Sequence, residues 1–360
     1  MIQTYLPMIQ IVAACWLLAK GCGAFEQAAN YFGRNMPAGI KGATVNAVGS
    51  SMPEMMSGFV LLFWYNDPAA FAIALGITAG SGVFNTAVIP PLAIWFAKDK
   101  EGKPVKNISL NPANLRRDVA FVVITDVLLI GLLFYGYISV GWAISLNLIY
   151  VLYALIIWMD SKNSSADDID DYEEEELHDY GNPVSNFFTC NFKSALIGAK
   201  PLGNWSAFFV FSLALIVITF GSHVLVEGVM GASNVLGIPD FISGLILGAA
   251  ASSLPDTIIS VQDAKKGNYE DAIANPLASN TFDTSISLGL PLLLWLLWTG
   301  SDGIAIVGEN MEALRISVVA MSASVGLSLI YKHKHVTRSL AALIFGAYVV
   351  WMCWIGFTFI

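Results

Sequence analysis

The sequence predicts an all-α polytopic membrane protein with ten transmembrane helices arranged as two inverted five-helix repeats. Three observations support this prediction: the composition, the recurrence of apolar runs along the chain, and a motif that occurs twice. Of the 360 residues, 56% are hydrophobic and 12% are charged, whereas soluble domains carry about 25% charged residues. A water-soluble core of this size does not need so much apolar sequence.

Ten apolar segments are long enough to span a bilayer, which takes roughly 20 residues. The hydrophilic stretch 160–203 divides them into five and five. We therefore expect a first repeat half in 1–159, an acidic cytoplasmic loop in 160–203 and a second repeat half in 204–360. The predicted spans are 5–31, 38–64, 68–97, 116–137, 140–159, 205–232, 239–264, 269–299, 310–331 and 338–358.

The Lys and Arg residues test this span count, because cytoplasmic connections carry an excess of them. With the acidic loop placed inside, sixteen of the eighteen basic residues fall on that side, leaving Arg315 outside and Lys20 within the first span. This predicts that both termini lie outside, and we expect the membrane to be a plasma (inner) membrane. Asp167 to Asp179 holds nine acids in thirteen residues and is expected to be a solvated linker.

A motif of the form Ser-Ser-x-Pro-acid occurs in the second and the seventh predicted spans. The first copy reads PAGIKGATVNAVGSSMPE, ending at Glu54, and the second reads PDFISGLILGAAASSLPD, ending at Asp256. An offset of 202 residues (256 − 54) aligns the copies. Because five spans separate them, an odd number, the copies run in opposite directions. Inverted repeats of this kind build a midplane site from interrupted helices.

A second pair of motifs lies one span further on. SGVFN, from Ser81 to Asn85, matches SNTFD, from Ser279 to Asp283, at an offset of 198 residues (279 − 81). The four extra residues of the first copy fit best in the connection around 63–68. Two neighbouring spans in each half therefore carry polar motifs.

Glu54 and Asp256 fall near the middle of apolar spans, where an ionised carboxylate costs about 3 kcal/mol even on the lenient insertion scale. A purely structural role exists, that of a protonated acid hydrogen-bonded to a neighbouring helix. Matching positions in an inverted repeat favour function instead. Ser50 and Ser51 precede Glu54 by four and three residues and are expected on its helical face.

The motifs offer only hard oxygen ligands. Pro53 and Pro255 lack an N–H and are expected to interrupt their helices, which frees carbonyls beside the carboxylates and hydroxyls. Neither motif contains His or Cys. Such a set suits Ca²⁺, Na⁺ or K⁺ and does not suit zinc or copper.

These residues carry a resemblance to a known family. AVGSSMPEMMSGFV with AGSGVFN, and AAASSLPDTIISVQDAKKG with ASNTFD, resemble the two alpha-repeats of the sodium/calcium exchanger superfamily. LNPANLRRDVAF and SLGLPLLLWLL are most similar to its potassium-dependent sodium/calcium branch. The resemblance covers essentially the whole chain, and the acidic loop least.

The resemblance implies a secondary active antiporter that exchanges Na⁺ for Ca²⁺ by alternating access at a site centred on Glu54 and Asp256. Asp283 is the residue type shown by the potassium-dependent branch. K⁺ co-transport stays open, because three acids leave one negative charge beside Ca²⁺ that either K⁺ or a proton could neutralise. The implied ion ligands are Glu54, Asp256, Asp283, Asn85, Ser50, Ser51, Ser252, Ser253, Ser81, Ser279 and the carbonyls of Ala47 and Ala249.

The expected partners are inorganic cations and the lipid bilayer, with no nucleic acid and no obligate protein partner. No enzyme activity and no cofactor are expected, since Ca²⁺, Na⁺ and K⁺ are cargo. One alternative is a proton-coupled Ca²⁺/cation antiporter of the same fold. Another is an intramembrane aspartyl hydrolase using Asp256 and Asp283, which would not require the symmetric counterparts Glu54 and Asn85.

Overall fold

A computed structural model describes residues 2–34, 36, 40, 42–67, 70–99, 101–163, 182–305, 319–320, 323–324, 326–328, 331 and 335–359. The α-helices of the first half are α1 Ile2–Phe32, α2 Ala47–Ser50, α3 Met52–Phe59, α4 Phe71–Ala87, α5 Ile89–Phe96, α6 Pro112–Tyr135 and α7 Val140–Asn163. Those of the remainder are α8 Pro183–Phe188, α9 Phe192–Ile197, α10 Asn204–Leu236, α11 Asp240–Ser243, α12 Ala249–Ser252, α13 Leu254–Lys266, α14 Tyr269–Phe282, α15 Leu288–Thr299 and α16 Arg338–Phe359. Four π-helical turns connect some of them: π1 Gly42–Asn46, π2 Val60–Trp64, π3 Gly244–Gly248 and π4 Asp283–Ser287.

Eight helical segments are long and apolar enough to cross a membrane, and each coincides with a predicted span. They are Tyr5–Phe32, Phe71–Phe96, Pro112–Tyr135, Val140–Asp160, Asn204–Leu236, Asp240–Lys266, Tyr269–Thr299 and Arg338–Thr358. The predicted span 38–64 consists of shorter pieces that end in the apolar segment Met52–Trp64. The predicted span 310–331 and the acidic stretch Asp167–Asp179 lie almost wholly outside the described residues. The predicted all-α membrane fold is confirmed.

Two boundaries differ from the sequence-based expectation. The fourth span begins at Pro112 rather than at 116, because Asn111 caps the helix: its Oδ1 accepts a hydrogen bond from the N–H of Ala113 at 3.0 Å. The stretch 160–203 was expected to be hydrophilic loop, yet its described part forms α8 and α9. Each of these begins at an asparagine cap, Asn182 or Asn191, which explains why turns can form there without an apolar span.

Two short antiparallel ladders tie connections together. Strand β1 (Asn107–Ser109) pairs with β4 (His335–Thr337), and β2 (Tyr137–Ser139) pairs with β3 (Gly303–Ala305). The first ladder joins the connection after the third span to the connection before the tenth. The second joins the connection after the fourth span to the connection after the eighth. Two paired strands must lie on the same side of the membrane. In the predicted ten-span topology the two connections of each ladder do lie on the same side, so both ladders agree with it.

The packing of the helices repeats between the two halves. Helix α1 packs along α10, α4 packs on π3 as α14 packs on π1, and α10 packs on α3 as α1 packs on α13. The third span lies at the centre, with 89% of its apolar window buried, whereas only 17% of the α16 window is buried. Lipid-facing helices therefore surround a core formed by the motif-bearing spans.

Candidate cation-binding site

Both Ser-Ser-x-Pro-acid motifs lie at a helix interruption. Ser51, with φ −89° and ψ 4°, separates α2 from α3, and Ser253, with φ −81° and ψ 4°, separates α12 from α13. A proline follows each break, within the first turn of the next helix, where its missing N–H costs nothing. The π1 and π3 turns end just before α2 and α12, and π turns are frequent at functional sites. The interrupted helices predicted from Pro53 and Pro255 are confirmed.

The breaks bring the three acids of the motifs into one buried region. Asp256 and Asp283 are 0% exposed and Glu54 is 3% exposed. Asp283 interacts electrostatically with both other carboxylates, and Glu54 interacts with Asp256. The structure therefore brings together the acids that the sequence placed in two distant motif pairs.

Asp256 is the carboxylate with most hydrogen bonds. Its Oδ1 accepts from Ser50 Oγ at 2.5 Å, Ser279 Oγ at 2.6 Å and Asn275 Nδ2 at 3.1 Å. Ser50 comes from the first half of the chain, whereas Ser279 and Asn275 come from the second. Asp256 is consequently held by both repeats, and its Oδ2 is left without a hydrogen bond among the described residues.

Glu54 is surrounded differently. The hydroxyls of Ser252 and Ser81 lie beside its carboxylate, in the positions that the repeat relates to Ser50 and Ser279. Even so, both Glu54 oxygens lack a partner with good hydrogen-bond geometry in the described part of the chain. A carboxylate buried in this way requires a positive charge or a proton.

The second pair of motifs meets in the same region. Ser81 Oγ lies 3.1 Å from Asp283 Oδ2 and 2.9 Å from Ser253 Oγ. Asn85 Nδ2 donates to Ser81 Oγ at 3.3 Å, and Ser51 lies beside the Asp283 carboxylate. Residues of both repeats are thus interleaved around Asp283 as well.

One serine reaches across to the other repeat. Ser50 was predicted to lie on the helical face of Glu54, and its hydroxyl donates to Asp256 of the other repeat. Ser81 and Asn85, which are not separated by a break, do share a face as predicted.

The two predicted carbonyl ligands also lie at the breaks. The Ala47 carbonyl accepts from the Ser51 N–H at 3.1 Å, and the Ala249 carbonyl accepts from the Ser253 N–H at 3.0 Å. Each also receives a longer hydrogen bond from a motif hydroxyl, Ser50 at 3.4 Å or Ser252 at 3.3 Å. Both carbonyls are therefore turned toward the motif side chains.

Several oxygens of the predicted ligands are buried without any hydrogen-bond partner in the described residues. Buried polar atoms are nearly always satisfied, so a group of such atoms marks a candidate ligand site. No three His, Cys, Asp or Glu side chains in the described chain form a metal cluster, so any cation here needs the neutral oxygens too. The unpartnered oxygens are Ser51 Oγ, Glu54 Oε1 and Oε2, Asn85 Oδ1, Asp256 Oδ2 and Asp283 Oδ1.

The motifs did not predict every polar residue of this region. Asn275 lies one helical turn before Ser279 and binds Asp256 and Ser260, at 3.1 and 3.0 Å. Asn46 lies one turn before Ser50, whose hydroxyl donates to the Asn46 carbonyl at 2.8 Å. Both are polar residues in apolar spans at i−4 from a motif serine, and that spacing could have identified them.

Comparison with known proteins agrees with this architecture. The family model described as "Sodium/calcium exchanger protein" matches residues 6–159 and 206–357. Inner membrane protein YrbG of Escherichia coli (strain K12) is 24% identical over 323 residues, which are 88% of this chain and 86% of that protein. The human sodium/potassium/calcium exchanger 4 is 33% identical over 165 residues, 43% of this chain and 25% of that protein. The match thus spans about a quarter of the human protein.

A solved structure, that of the H⁺/Ca²⁺ exchanger CAX, has the same fold. It superposes with a TM-score of 0.65 at 16% identity, covering 98% of this chain and 81% of the other. The family match covers most of the chain in two blocks, one in each half. This family consists of transporters, which confirms the expectation that the protein is not an enzyme and removes the aspartyl hydrolase alternative. The chain is an integral multi-pass membrane protein and belongs to the sodium/calcium exchanger family of cation/calcium antiporters.

Proposed function

We propose that the protein exchanges Na⁺ for Ca²⁺ by alternating access at a site centred on Glu54 and Asp256. The observation that supports this most is the group of unpartnered buried oxygens within the two motif pairs, on Ser51, Glu54, Asn85, Asp256 and Asp283. Three interacting carboxylates repel one another in a buried site, and a divalent cation offsets that repulsion. The coupling follows from competition, since Na⁺ and Ca²⁺ need the same carboxylates.

In this proposal the charged and the neutral ligands have different roles. Glu54 and Asp256 bind Ca²⁺ from opposite repeats, and Asp283 with Asn85 forms the second, asymmetric pair. The hydroxyls of Ser50, Ser51, Ser81, Ser252, Ser253 and Ser279 and the carbonyls of Ala47 and Ala249 supply the neutral oxygens that additional monovalent ions need. In this proposal the ions are cargo and no cofactor takes part.

The two repeat halves, 1–159 and 204–360, each supply one arm of this site, and 160–203 connects them. We propose a plasma (inner) membrane location, with both termini outside and the acidic loop cytoplasmic. The basic residues on one side of the predicted topology support this orientation, and the Escherichia coli relative is named an inner membrane protein.

The coupling ion is tested with purified protein in liposomes. We expect Ca²⁺ uptake to follow an imposed Na⁺ gradient and to ignore a pH gradient, with K⁺ added or omitted in parallel. Asp283→Asn shows whether any K⁺ requirement depends on that acid. Uptake that follows the pH gradient alone would replace this proposal with the proton-coupled alternative. Asp302→Asn, in an exposed connection, is the matched control.

A further inference from the structure

One of the buried acids outside both motif pairs has almost no hydrogen-bond partners. Asp126, in the middle of α6, is 0% exposed. Its Oδ1 accepts one hydrogen bond, from Thr284 Oγ1 at the limiting distance of 3.5 Å. Its Oδ2 accepts none among the described residues, and no basic side chain of the described chain interacts with the carboxylate. This carboxylate is nearly as unsatisfied as that of Glu54.

Neutral oxygens surround Asp126. The Ser324 hydroxyl lies beside the carboxylate and also donates to the Gly82 carbonyl at 3.1 Å. Asn280 Nδ2 donates to Gly82 at 3.1 Å and to Ser324 at 3.4 Å. These bonds fix the Asn280 amide, and its Oδ1 is buried without a partner in the described residues. Asp126 and Asn280 each keep one unpartnered oxygen, and Ser324, which contacts Asn280 and lies beside Asp126, connects the two side chains.

We propose that Asp126, Asn280, Thr284 and Ser324 form a second cation site, which takes a dehydrated monovalent alkali cation. The charge decides the class of ion: one carboxylate neutralises one monovalent charge, whereas Ca²⁺ is usually held by several carboxylates among its six to eight oxygens. The amide, hydroxyl and carbonyl oxygens are the hard ligands that Na⁺ and K⁺ share.

The place of this site in the chain gives it a consequence for exchange. Thr284 directly follows Asp283 in the chain, and Gly82 directly follows Ser81. The cluster therefore adjoins the motif residues of the exchange site. A cation at Asp126 would hold Thr284, and with it the π4 turn that begins at Asp283. This consequence rests on the proposed exchange function, whereas the binding itself does not.

Binding is measured in protein whose exchange site has been neutralised by Glu54→Gln, Asp256→Asn and Asp283→Asn. The readout is the thermal unfolding midpoint as NaCl or KCl replaces choline chloride at constant ionic strength. We expect saturable stabilisation, because a ligand of the folded state raises stability as it fills its site. The Na⁺ and K⁺ titrations identify which ion binds more tightly. No saturable stabilisation by either ion would overturn the proposal.

Asp126→Asn, added to that triple variant, is expected to remove the saturable stabilisation. Thr125→Val is the control, since Thr125 is equally buried but donates only to carbonyls of its own helix. If Asp126→Asn leaves the titration unchanged, Asp126 is a neutral, hydrogen-bonded acid and the proposal is wrong.

If Asp126→Asn does not fold, Ser324→Ala and Thr284→Val take its place. Each removes one neutral oxygen and is expected to weaken binding by roughly tenfold, as for one hydrogen bond to a charged group. Unchanged titrations in both would contradict the proposal. If the unmutated protein shows no Na⁺-driven Ca²⁺ flux, only the proposed exchange function is contradicted, and the proposed second site is not.

Discussion

Glu54 and Asp256 occupy the same position in the two repeats, yet only Asp256 is held by hydrogen bonds. The difference lies in the neighbouring helix. Asn275 donates a hydrogen bond to Asp256. Its equivalent in the first repeat is Ile77 (275 − 198), which has no polar group to donate to Glu54. Ser260, which holds the Asn275 amide, corresponds to Gly58 (260 − 202). The second repeat therefore carries a polar support that the first lacks.

The same difference extends away from the acids. Asn46 Nδ2 donates to Asp263 Oδ2 at 3.4 Å, which joins π1 to α13 at one end of the site. The positions that the repeat relates to these residues are Gly248 and Leu61. The polar contact between π1 and α13 therefore has no polar counterpart at the repeat-related positions.

Neutralising either acid should have the largest effect. Glu54→Gln and Asp256→Asn each remove a charged ion ligand, and we expect Ca²⁺ flux to fall roughly 100-fold, or about 3 kcal/mol. Their effects on cation-free stability should differ. Asp256→Asn weakens three charge-assisted hydrogen bonds, whereas Glu54→Gln weakens none in the described chain, so Glu54→Gln should be more stable by about 1–2 kcal/mol. Thermal unfolding in detergent measures this difference, and equal stabilities would show that the asymmetry has no energetic consequence.

The next effect concerns how closely each repeat packs. A Cβ on Gly80 would overlap the Leu245 carbonyl oxygen and lie 2.6 Å from the Ala249 Cβ, whereas the equivalent Ala278 already carries a methyl group against the first repeat. We expect Gly80→Ala to destabilise the protein by about 2 kcal/mol, as over-packing does. The thermal unfolding midpoint checks this.

Two variants control for side effects of that substitution. Gly131→Ala introduces the same methyl group on α6, where nothing lies within 4 Å, and should not lower the midpoint, because alanine favours a helix over glycine. Ala278→Gly should cost about 2 kcal/mol, from helix propensity and from the lost burial of one methyl group, without any overlap. A Gly80→Ala protein as stable as Gly131→Ala would mean that the two repeats pack equally closely.

The sequence predicted the features that depend on local pattern. Apolar runs located eight membrane-crossing helices, and the matching motifs located both helix breaks. The individual contacts across the repeats could not be predicted, because they depend on how the two breaks face each other: the sequence does not show that the Ser50 hydroxyl donates to Asp256. Asn275 and Asp126 are recognisable in the sequence as polar residues in apolar spans. Neither belongs to a repeated motif, and the repeated motifs alone predicted the site residues.

The smallest predicted effect is a direct test of the polar support. Asn275→Ile makes the second repeat resemble the first at this position and removes one donor from Asp256 Oδ1. We expect the apparent Ca²⁺ affinity in flux assays to weaken by roughly tenfold, about 1.5 kcal/mol, while the serines still hold the carboxylate. Asn234→Ala, whose amide binds only its own helix at Met230, should not change the affinity. If the Asn275→Ile protein has the same apparent Ca²⁺ affinity as the Asn234→Ala control, Ser50 and Ser279 suffice to orient Asp256. The absence of a donor at Ile77 then cannot explain why Glu54 lacks hydrogen bonds.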